Sequence, residues 1–256
     1  MKNLAARGRN AKIRLDQLLV ERGLAESRAR AQALVMAGLV YSDTKRLDKA
    51  GQRLAIDIDI VVKGRDHSWV SRGGVKLAHG LDHFDIDPEG LICLDIGAST
   101  GGFTDVLVAR GAARVYAVDV GRGQLDWRLR NEGRVVVLEG TNVRNLSPEL
   151  VPEPIDLIVC DVAFIGLRTA LPAALGLATA GGRLIALIKP QFEVGKGRVG
   201  RKGVVRDPVL HSEVCEAVRS WIDDRPGWCV LGLSESPITG PEGNKEFLIA
   251  ARRGAA

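Results

Sequence analysis

The sequence predicts an α/β fold: a Rossmann-like sheet of seven mostly parallel strands, preceded by a small α+β domain. From about residue 75 onward, short apolar runs typical of buried strands alternate with segments of helical periodicity, as in a doubly wound sheet. The last two strand-like runs follow each other without a helix, which predicts an antiparallel hairpin at the sheet edge. Before residue 62 the pattern differs, because two helical segments precede two strand-like runs.

Composition limits the class of protein. The chain has 256 residues, enough for two unequal domains, and 46% of them are apolar. We expect no membrane span and no secretory signal, because no apolar run approaches the required length and the basic N-terminus lacks an apolar stretch. The cysteines show no CxxC spacing, which argues against a disulfide framework and against a metal site. This cysteine usage is typical of a cytoplasmic protein.

The net charge of +5 is unevenly distributed. Residues 1–76 carry 16 Lys and Arg against 8 Asp and Glu, whereas residues 77–256 carry 20 against 23. A basic excess confined to the first third favours a polyanion such as RNA as the partner. A solvated basic face is the other interpretation of charge alone.

Residues 1–62 are predicted to form the small domain. Its second helix begins after Ser27, a favourable N-cap, and ends at Gly38. Strand-like runs follow at 39–42 and 54–62. The helical positions expected in the core are Leu15, Leu18, Leu19, Ala31, Leu34 and Val35.

The stretch "RLDQLLVERGLAESRARAQALVMAGLV" (14–40) resembles the RNA-binding domain shared by ribosomal protein S4, pseudouridine synthases and tyrosyl-tRNA synthetases. The resemblance implies that the second helix and the turn after it present basic side chains to RNA phosphates. The candidate RNA-binding residues are Arg14, Arg28, Arg30, Lys45, Arg46 and Arg72. For any single arginine, a solvated helix face is the simpler interpretation.

Residues 63–73 are polar and glycine-rich and predict an interdomain linker, so the second domain comprises residues 74–256. Its strands are predicted at 91–95, 114–119, 134–138, 155–160, 183–189, 229–235 and 246–251. Its helices are predicted at 75–83, 103–110, 123–130, 166–177 and 208–222.

The string "LDIGASTGGFT" (94–104) is a glycine-rich turn after a predicted strand, where nucleotide-like cofactors bind. It lacks the middle glycine of a dinucleotide fingerprint, because Ala98 and Ser99 follow Gly97. Asp95, two residues earlier, would repel a pyrophosphate but suits a cationic ligand. S-adenosylmethionine carries an ammonium and a sulfonium group and no phosphate. The turn therefore predicts the S-adenosylmethionine site of a class I methyltransferase.

Two further residues at strand ends support this cofactor. Asp119 ends the next strand and is placed to take ribose hydroxyls. Asn142 follows the third strand and is placed to reach the adenine edge. The candidate cofactor-binding residues are Asp95, Gly97, Ser99, Thr100, Gly101, Asp119, Val120 and Asn142.

The segment after the fourth strand indicates which atom accepts the methyl group. Amine methyltransferases carry an [ND]-P-P-[YF] element there, whereas this chain reads "CDVAF" (160–164) without prolines. Methylation at base carbon C5 needs a cysteine nucleophile, and Cys160 is expected to be a buried core residue. A hydroxyl acceptor remains, and its attack on a sulfonium methyl is helped by a general base.

Two lysines are candidates for that base. Lys189 ends the apolar run "LIALIKPQFE", where a lysine without a partner is uncommon. Lys76 lies at the head of the helix before the first strand, where a surface position is the simpler interpretation. A partly desolvated lysine among other charges can serve as a base. Asp161 and Glu246 are predicted at or near the same sheet edge.

Lys76, Asp161, Lys189 and Glu246 stand in the order of the Lys-Asp-Lys-Glu tetrad of FtsJ-related ribose 2′-O-methyltransferases. With the strings "SRGGVKL", "LIKPQFEVGKG" and "GPEGNKEF", the chain resembles the TlyA (haemolysin A-like) family from about residue 12 to 252. The resemblance implies methylation of cytidine 2′-hydroxyls in 16S and/or 23S rRNA, with ribosomal RNA or ribosomal subunits as partners. It implies that Lys189 activates the hydroxyl and that Asp161 and Lys76 set the protonation state and orientation of Lys189. It implies that Glu246 either completes the charge network or positions the ribose. Neither the nucleotide nor the oligomeric state follows from the sequence.

The roles of Phe164 and His67 and two alternative functions stay open. Phe164 is a candidate to stack on the target base, a core position being the other interpretation. His67 stands where some family members have a linker arginine. A haemolysin-like membrane-active protein has little support, because no long amphipathic cationic helix is indicated. An RNA-binding ribosome-assembly factor without catalysis is disfavoured by the intact tetrad.

Overall fold

The computed structural model describes residues 12–25, 27–36, 38–62, 67–195, 197–200, 203–240 and 243–254. The chain divides into two compact units, residues 1–71 and 72–256. Residues 63–66 of the predicted linker lie outside the described residues.

The first unit is an α+β domain with two helices and five short strands. Strands β1 and β4 pair antiparallel, and β2 pairs with both β3 and β5. The leucines and small apolar residues predicted for the core are all buried. Ser27 caps α2, since its Oγ accepts the backbone N–H of Arg30 at 3.2 Å. The elements are β1 (Lys12–Arg14), α1 (Leu15–Glu21), α2 (Arg28–Met36), β2 (Val40–Ser42), β3 (Lys45–Arg46), β4 (Arg53–Ala55) and β5 (Val61–Val62).

The strand predicted at 54–62 is interrupted. It forms β4 and β5 with a turn between them, in which the N–H of Ile58 donates to the carbonyl of Ala55. The guanidinium of Arg22 donates to the carbonyls of Ile56 and Ile58 at 2.6 and 2.5 Å. These carbonyls are thus satisfied by a side chain instead of a neighbouring strand.

Asp16 is a fully buried carboxylate in the first unit. Its oxygens accept hydrogen bonds from Arg14 at 2.9 and 3.0 Å, from Arg28 at 3.0 Å and from Gln32 at 3.1 Å. The Arg14 hydrogen bonds, followed by those of Gln32 and Arg28, hold the pKa of Asp16 well below its usual range despite its burial. Through these hydrogen bonds, Asp16 links β1 and α1 to α2.

We expect Asp16→Asn to destabilise the first unit by about 3 kcal/mol, because it leaves two guanidinium groups around an uncharged buried amide. The depressed pKa means that this contribution is present above about pH 4 and is lost as the pH falls further. Hydrogen exchange of α1 and α2 amides measures the change. Asp48→Asn, which removes an exposed partner of Arg46, is the control and should change exchange little. Equal effects of the two variants would contradict the prediction.

The second unit contains the large sheet. Its helices are α3 (Gly73–His83), α4 (Gly102–Ala109), α5 (Trp127–Arg130), α6 (Leu167–Gly176), α7 (Pro190–Glu193) and α8 (Pro208–Asp223). Its strands are β6 (Ile92–Ile96), β7 (Arg114–Asp119), β8 (Val135–Glu139), β9 (Ile155–Cys160), β10 (Ala178–Ile188), β11 (Trp228–Glu235) and β12 (Phe247–Arg253).

The seven strands lie in the order β11-β12-β10-β9-β6-β7-β8. Strands β6 to β10 run parallel, whereas β12 runs antiparallel to both of its neighbours. The predicted fold class is thereby confirmed: a mostly parallel seven-stranded sheet with an antiparallel hairpin at one edge. The chain leaves β6 on one side towards β7 and returns on the other as β9, which places a topological switch point at the carboxyl end of β6.

In the second unit, two elements differ from their predicted bounds by more than two residues, and a third was not predicted. The helix predicted at 123–130 is only the single turn α5, and the backbone N–H groups of residues 123–125 donate to the side chain of Glu139. Strand β10 begins at Ala178, before the predicted start, with an irregular register up to Arg183. Helix α7 was not predicted; Pro190 occupies its first position, where the missing N–H has no cost.

Candidate active site

Four charged side chains meet at the carboxyl edge of the sheet. Asp161 directly follows β9 and Lys189 directly follows β10, so the parallel strands deliver both to one edge. Glu246 directly precedes β12, and because β12 is antiparallel, its first residue lies beside the last residue of β10. Lys76 comes from α3, one turn before Gly80.

Gly80 sets how closely α3 approaches the sheet. A Cβ at this position would lie 3.3 Å from Ile185 of β10 and 3.6 Å from Leu248 of β12. Because Gly80 has no side chain, α3 packs closely on β10 and β12. This packing brings Lys76 to the sheet edge at which Glu246 lies.

The four residues form an alternating chain of charges. Lys76 Nζ lies 2.6 Å from Glu246 Oε2 and 4.0 Å from Asp161 Oδ2, and Lys189 Nζ lies 2.5 Å from Asp161 Oδ1. The order is therefore Lys189, Asp161, Lys76, Glu246. Two cations and two anions compensate each other, which makes their burial tolerable.

The two ends of this chain differ in exposure. The Glu246 side chain is fully buried, whereas Lys189 retains 12% of its side-chain exposure. Glu246 Oε1 has no hydrogen-bond partner among the described residues, and a Cβ at Gly240 would lie 2.1 Å from it. Lys189 is thus the partly exposed end of the chain of charges and Glu246 is the buried end.

The glycine-rich turn lies beside this chain. Gly97, Ser99 and Gly101 all have positive φ, a conformation that favours glycine. A Cβ at Gly97 would lie 2.5 Å from the backbone oxygen of Asp161, and one at Gly101 would lie 2.3 Å from Leu129. The turn is therefore packed against the residue after β9 on one side and against α5 on the other.

Asp119 holds the turn by its carboxylate. Oδ2 accepts the N–H of Ser99 at 2.8 Å and Oδ1 accepts the N–H of Gly121 at 2.7 Å. Each oxygen keeps a second lone pair for a ligand hydroxyl. Val120, the next residue, is 70% exposed and presents an apolar side chain at the surface.

Asn142 caps a short 3₁₀-helix, Val143–Asn145. Its Oδ1 accepts the backbone N–H and the Nε of Arg144 at 3.1 and 3.2 Å. The acceptor side of the amide is thus used within the chain. Thr100 contributes its backbone carbonyl, which accepts the N–H of Asp126 at 3.1 Å.

Asp95, predicted as a cofactor-binding residue, is a buried carboxyl group near the carboxyl end of β6. It is fully buried, and its Oδ2 accepts a hydrogen bond from Thr104 of α4 at 2.5 Å, while Oδ1 has no partner among the described residues. Burial raises the pKa of Asp95 to about 7, further aided by the charges of Asp161 and Asp119. The carboxyl group therefore supports the turn from inside the protein.

This raised pKa predicts a dependence of stability on pH. Between about pH 4 and about pH 7 the folded state binds more protons than the unfolded state, so the free energy of unfolding falls as the pH rises through this range. We expect Asp95→Asn, which keeps an acceptor for Thr104, to reduce this fall. Urea unfolding of both proteins at several pH values measures it. Parallel curves for the two proteins would contradict the role assigned to Asp95.

Two residues at and after the end of β9 were singled out in the sequence, and their surroundings differ. Cys160 is fully buried, and burial raises its pKa strongly, so it is no nucleophile. Phe164 is 88% exposed with φ of 71°, and its ring centroid lies 5.5 Å from that of Phe192. The alternative of a core phenylalanine is therefore wrong.

The candidate RNA-binding residues differ in their surroundings. Arg14 and Arg28 bond Asp16, and Arg46 pairs with Asp48 at 2.5 Å. Arg30 and Lys45 are exposed. In the second unit, Arg72 precedes α3 and donates to the carbonyl of Thr239 at 3.4 Å.

Sequence reasoning missed two residues that shape this edge, Glu139 and Gly240. A signal existed for Glu139, since it directly follows the strand predicted at 134–138, the next along the chain after the strand that ends in Asp119. Within the described ranges there is no cluster of side chains suited to a metal ion. Nor does any helix in the described part of the chain have the length and apolarity to cross a membrane.

Residues 69–253 match the FtsJ-like methyltransferase family and residues 13–57 match the S4 domain. The chain is 48% identical over 240 residues to the 16S/23S rRNA (cytidine-2′-O)-methyltransferase TlyA of Mycobacterium tuberculosis, covering 93% of this chain and 89% of that protein. It is 38% identical over 237 residues to hemolysin A of Brachyspira hyodysenteriae, covering 92% and 98%.

A solved structure of a candidate hemolysin from Streptococcus thermophilus superimposes with a TM-score of 0.79 at 42% identity, covering 95% of this chain and 89% of that one. These matches confirm the two resemblances drawn from the sequence motifs. The chain therefore belongs to the FtsJ-like methyltransferase family, within the group of TlyA and hemolysin A proteins, and carries an S4 domain ahead of its methyltransferase domain.

Proposed function

We propose that this protein transfers a methyl group from S-adenosylmethionine to the 2′-hydroxyl of a cytidine in ribosomal RNA. The observation that carries the proposal is the alternating chain of Lys189, Asp161, Lys76 and Glu246 beside the glycine-rich turn. The names of the related proteins, which act on cytidine in 16S/23S or 23S rRNA, support the same substrate class. We assign residues 1–62 to RNA binding, 63–73 to the linker and 74–256 to catalysis.

The residues of the turn fit S-adenosylmethionine. Asp119 keeps lone pairs for the ribose hydroxyls, Val120 offers an exposed apolar surface to the adenine, and the NH₂ of Asn142 reaches its edge. The turn 97–101 lacks the middle glycine that lets the backbone approach a pyrophosphate. When bound, the cofactor supplies an electrophilic methyl group on a sulfonium centre.

Lys189 is proposed to take the proton from the 2′-hydroxyl as its oxygen attacks the methyl carbon. Lys189 must be neutral at that moment, having released its own proton to water. Asp161 orients the amine at 2.5 Å. Lys76 lies 4.0 Å from the same carboxylate. Glu246 in turn fixes Lys76 at 2.6 Å.

RNA is proposed to bind through the basic residues of the first unit and through Arg72. Arg30 and Lys45 are exposed, and Arg14, Arg28 and Arg46 keep N–H groups for phosphates beside their carboxylate bonds. These contacts supply affinity without sequence information.

Phe164 is proposed to stack on the target base, because it is an exposed aromatic close to the tetrad residue Asp161. We expect Phe164→Ala to raise the KM for RNA about tenfold, given that one base–aromatic stack contributes about 1–3 kcal/mol. The Kd of S-adenosylhomocysteine, measured by calorimetry, should stay unchanged. An unchanged KM for RNA would contradict the stacking role.

The function is tested with S-adenosylmethionine labelled in its methyl group. Purified protein is incubated separately with 30S subunits, 50S subunits and protein-free rRNA, and the label in RNA is counted. Label in at least one ribosomal substrate, dependent on Lys189, is the expected result. Binding of rRNA without any label would instead indicate an assembly factor, and it would overturn the proposal.

A further inference from the structure

The segment 121–126 forms one wall of the proposed cofactor pocket. It follows Asp119 and Val120, and the N–H of Asp126 donates to the carbonyl of Thr100 in the glycine-rich turn at 3.1 Å. A Cβ at Gly101 would lie 2.9 Å from Leu125, so the wall and the turn are in direct contact. A displacement of this segment would therefore change the pocket.

The segment has neither helical nor strand hydrogen bonds of its own from residue 123 to 125. Instead, three consecutive backbone N–H groups donate to the carboxylate of Glu139: Gly123 to Oε2 at 2.7 Å, and Gln124 and Leu125 to Oε1 at 3.0 and 3.2 Å. Arg130 donates to the same Oε1 and also, through Nε, to the carbonyl of Leu125 at 3.2 Å. The carboxylate of Glu139 thus accepts hydrogen bonds from three consecutive residues at the centre of the segment.

Glu139 lies between the segment 121–126 and Asp119, the proposed ribose-binding residue. It ends β8 directly opposite Asp119, the last residue of β7. Immediately after it, the N–H of Gly140 donates to the carbonyl of Gly121 and the N–H of Thr141 donates to the carbonyl of Asp119. Gly121 in turn donates to Asp119 Oδ1.

The carboxylate of Glu139 carries its negative charge at neutral pH. Burial acts to raise its pKa, but the hydrogen bonds from Arg130 and from the three backbone amides outweigh burial and bring the pKa to about 2. A neutral side chain cannot reproduce this arrangement, since a glutamine has one acceptor oxygen in place of two.

We infer that Glu139 is a positioning residue for the methyl donor: its carboxylate shapes segment 121–126 into the wall that, with Asp119, holds the adenosine moiety. This inference rests on the proposed function, because it requires that S-adenosylmethionine binds at the glycine-rich turn. It assigns to Glu139 an effect on cofactor affinity and none on the chemical step.

The test compares four proteins by calorimetric titration with S-adenosylhomocysteine and by steady-state kinetics: wild type, Glu139→Gln, Arg130→Gln and Glu132→Gln. Glu132 pairs with Arg134 on the exposed side of the β8 start, so its variant is the matched control. We expect Glu139→Gln to raise the Kd and the KM for the cofactor at least tenfold, with kcat at saturating cofactor within threefold of wild type. Arg130→Gln should have a smaller effect, because it leaves the three amide bonds intact.

Three results would overturn the inference: an unchanged Kd for Glu139→Gln, a loss of kcat alone, or equal effects of Glu139→Gln and Arg130→Gln. Should Glu139→Gln fail to fold, Glu139→Asp decides, since it keeps the charge with a shorter reach and is expected to give an intermediate rise in Kd. Wild-type protein that does not bind S-adenosylhomocysteine would instead contradict the proposed function itself.

Discussion

Replacement of Lys189 by alanine is expected to lower the rate of methyl transfer about 10²- to 10⁴-fold, which is the range for loss of a general base. Lys189 is the accessible end of the alternating chain, and the amine that Asp161 orients at 2.5 Å is the group that would take the hydroxyl proton. The Kd for S-adenosylhomocysteine should stay within a few-fold of wild type, because Lys189 follows β10 and not the glycine-rich turn after β6. Single-turnover kinetics with saturating RNA and cofactor measure the rate.

Lys245→Ala is the matched control for this variant. Lys245 is an exposed lysine that pairs with Glu235 at 3.0 Å, and its removal should leave the rate unchanged. Lys189→Arg tests the chemistry further, because a guanidinium stays protonated and cannot take a proton. A rate for Lys189→Arg near that of wild type would contradict a general-base role.

Gly97→Ala is expected to abolish cofactor binding and to destabilise the second unit. Gly97 has φ of 82°, and a left-handed alanine costs about 1–2 kcal/mol. A Cβ here would also lie 2.5 Å from the backbone oxygen of Asp161, so the turn and the segment after β9 must move apart. Because Asp161 orients Lys189, this shift also misplaces the base, and a displacement of about 1 Å can cost about 10²-fold in rate.

Gly90→Ala is the control variant that separates the effect of backbone strain from the effect of steric overlap by the added Cβ. Gly90 has φ of 71°, but a Cβ there would meet nothing within 4 Å, so only the backbone strain is added. We expect a loss of stability of about 1–2 kcal/mol with normal cofactor affinity and normal rate. Thermal unfolding and calorimetry on both variants measure the difference, and similar cofactor affinities for the two would contradict the close packing assigned to Gly97.

The alternation of strands and helices was predictable because buried parallel strands are apolar throughout and the helices have amphipathic periodicity. The strand-end positions of Asp119, Asp161 and Lys189 follow directly from that alternation. The contact of Lys76 with Glu246, 170 residues apart in the chain, depends on the antiparallel entry of β12 and on Gly80 under α3. Such contacts are set by packing and are not visible in local sequence patterns.

Two predicted elements, the helix at 123–130 and the strand at 54–62, are shortened or interrupted in the structure. At both places, backbone groups hydrogen-bond to a side chain. The first part of the helix predicted at 123–130 is absent, and the N–H groups of residues 123–125 donate to the distant side chain of Glu139. The strand predicted at 54–62 is interrupted where Arg22 takes two carbonyls. These partners are distant in sequence, so propensity alone does not indicate them.

The most direct test of the central claim is the chemical identity of the methylated nucleoside. Ribosomal subunits from cells that lack the enzyme are treated with wild-type protein or with Lys189→Ala in the presence of S-adenosylmethionine. The rRNA is then digested and its nucleosides are identified by mass spectrometry. The account predicts 2′-O-methylcytidine with the wild-type protein and none with Lys189→Ala. A methyl group on a base, or 2′-O-methylcytidine formed equally well by Lys189→Ala, would contradict it.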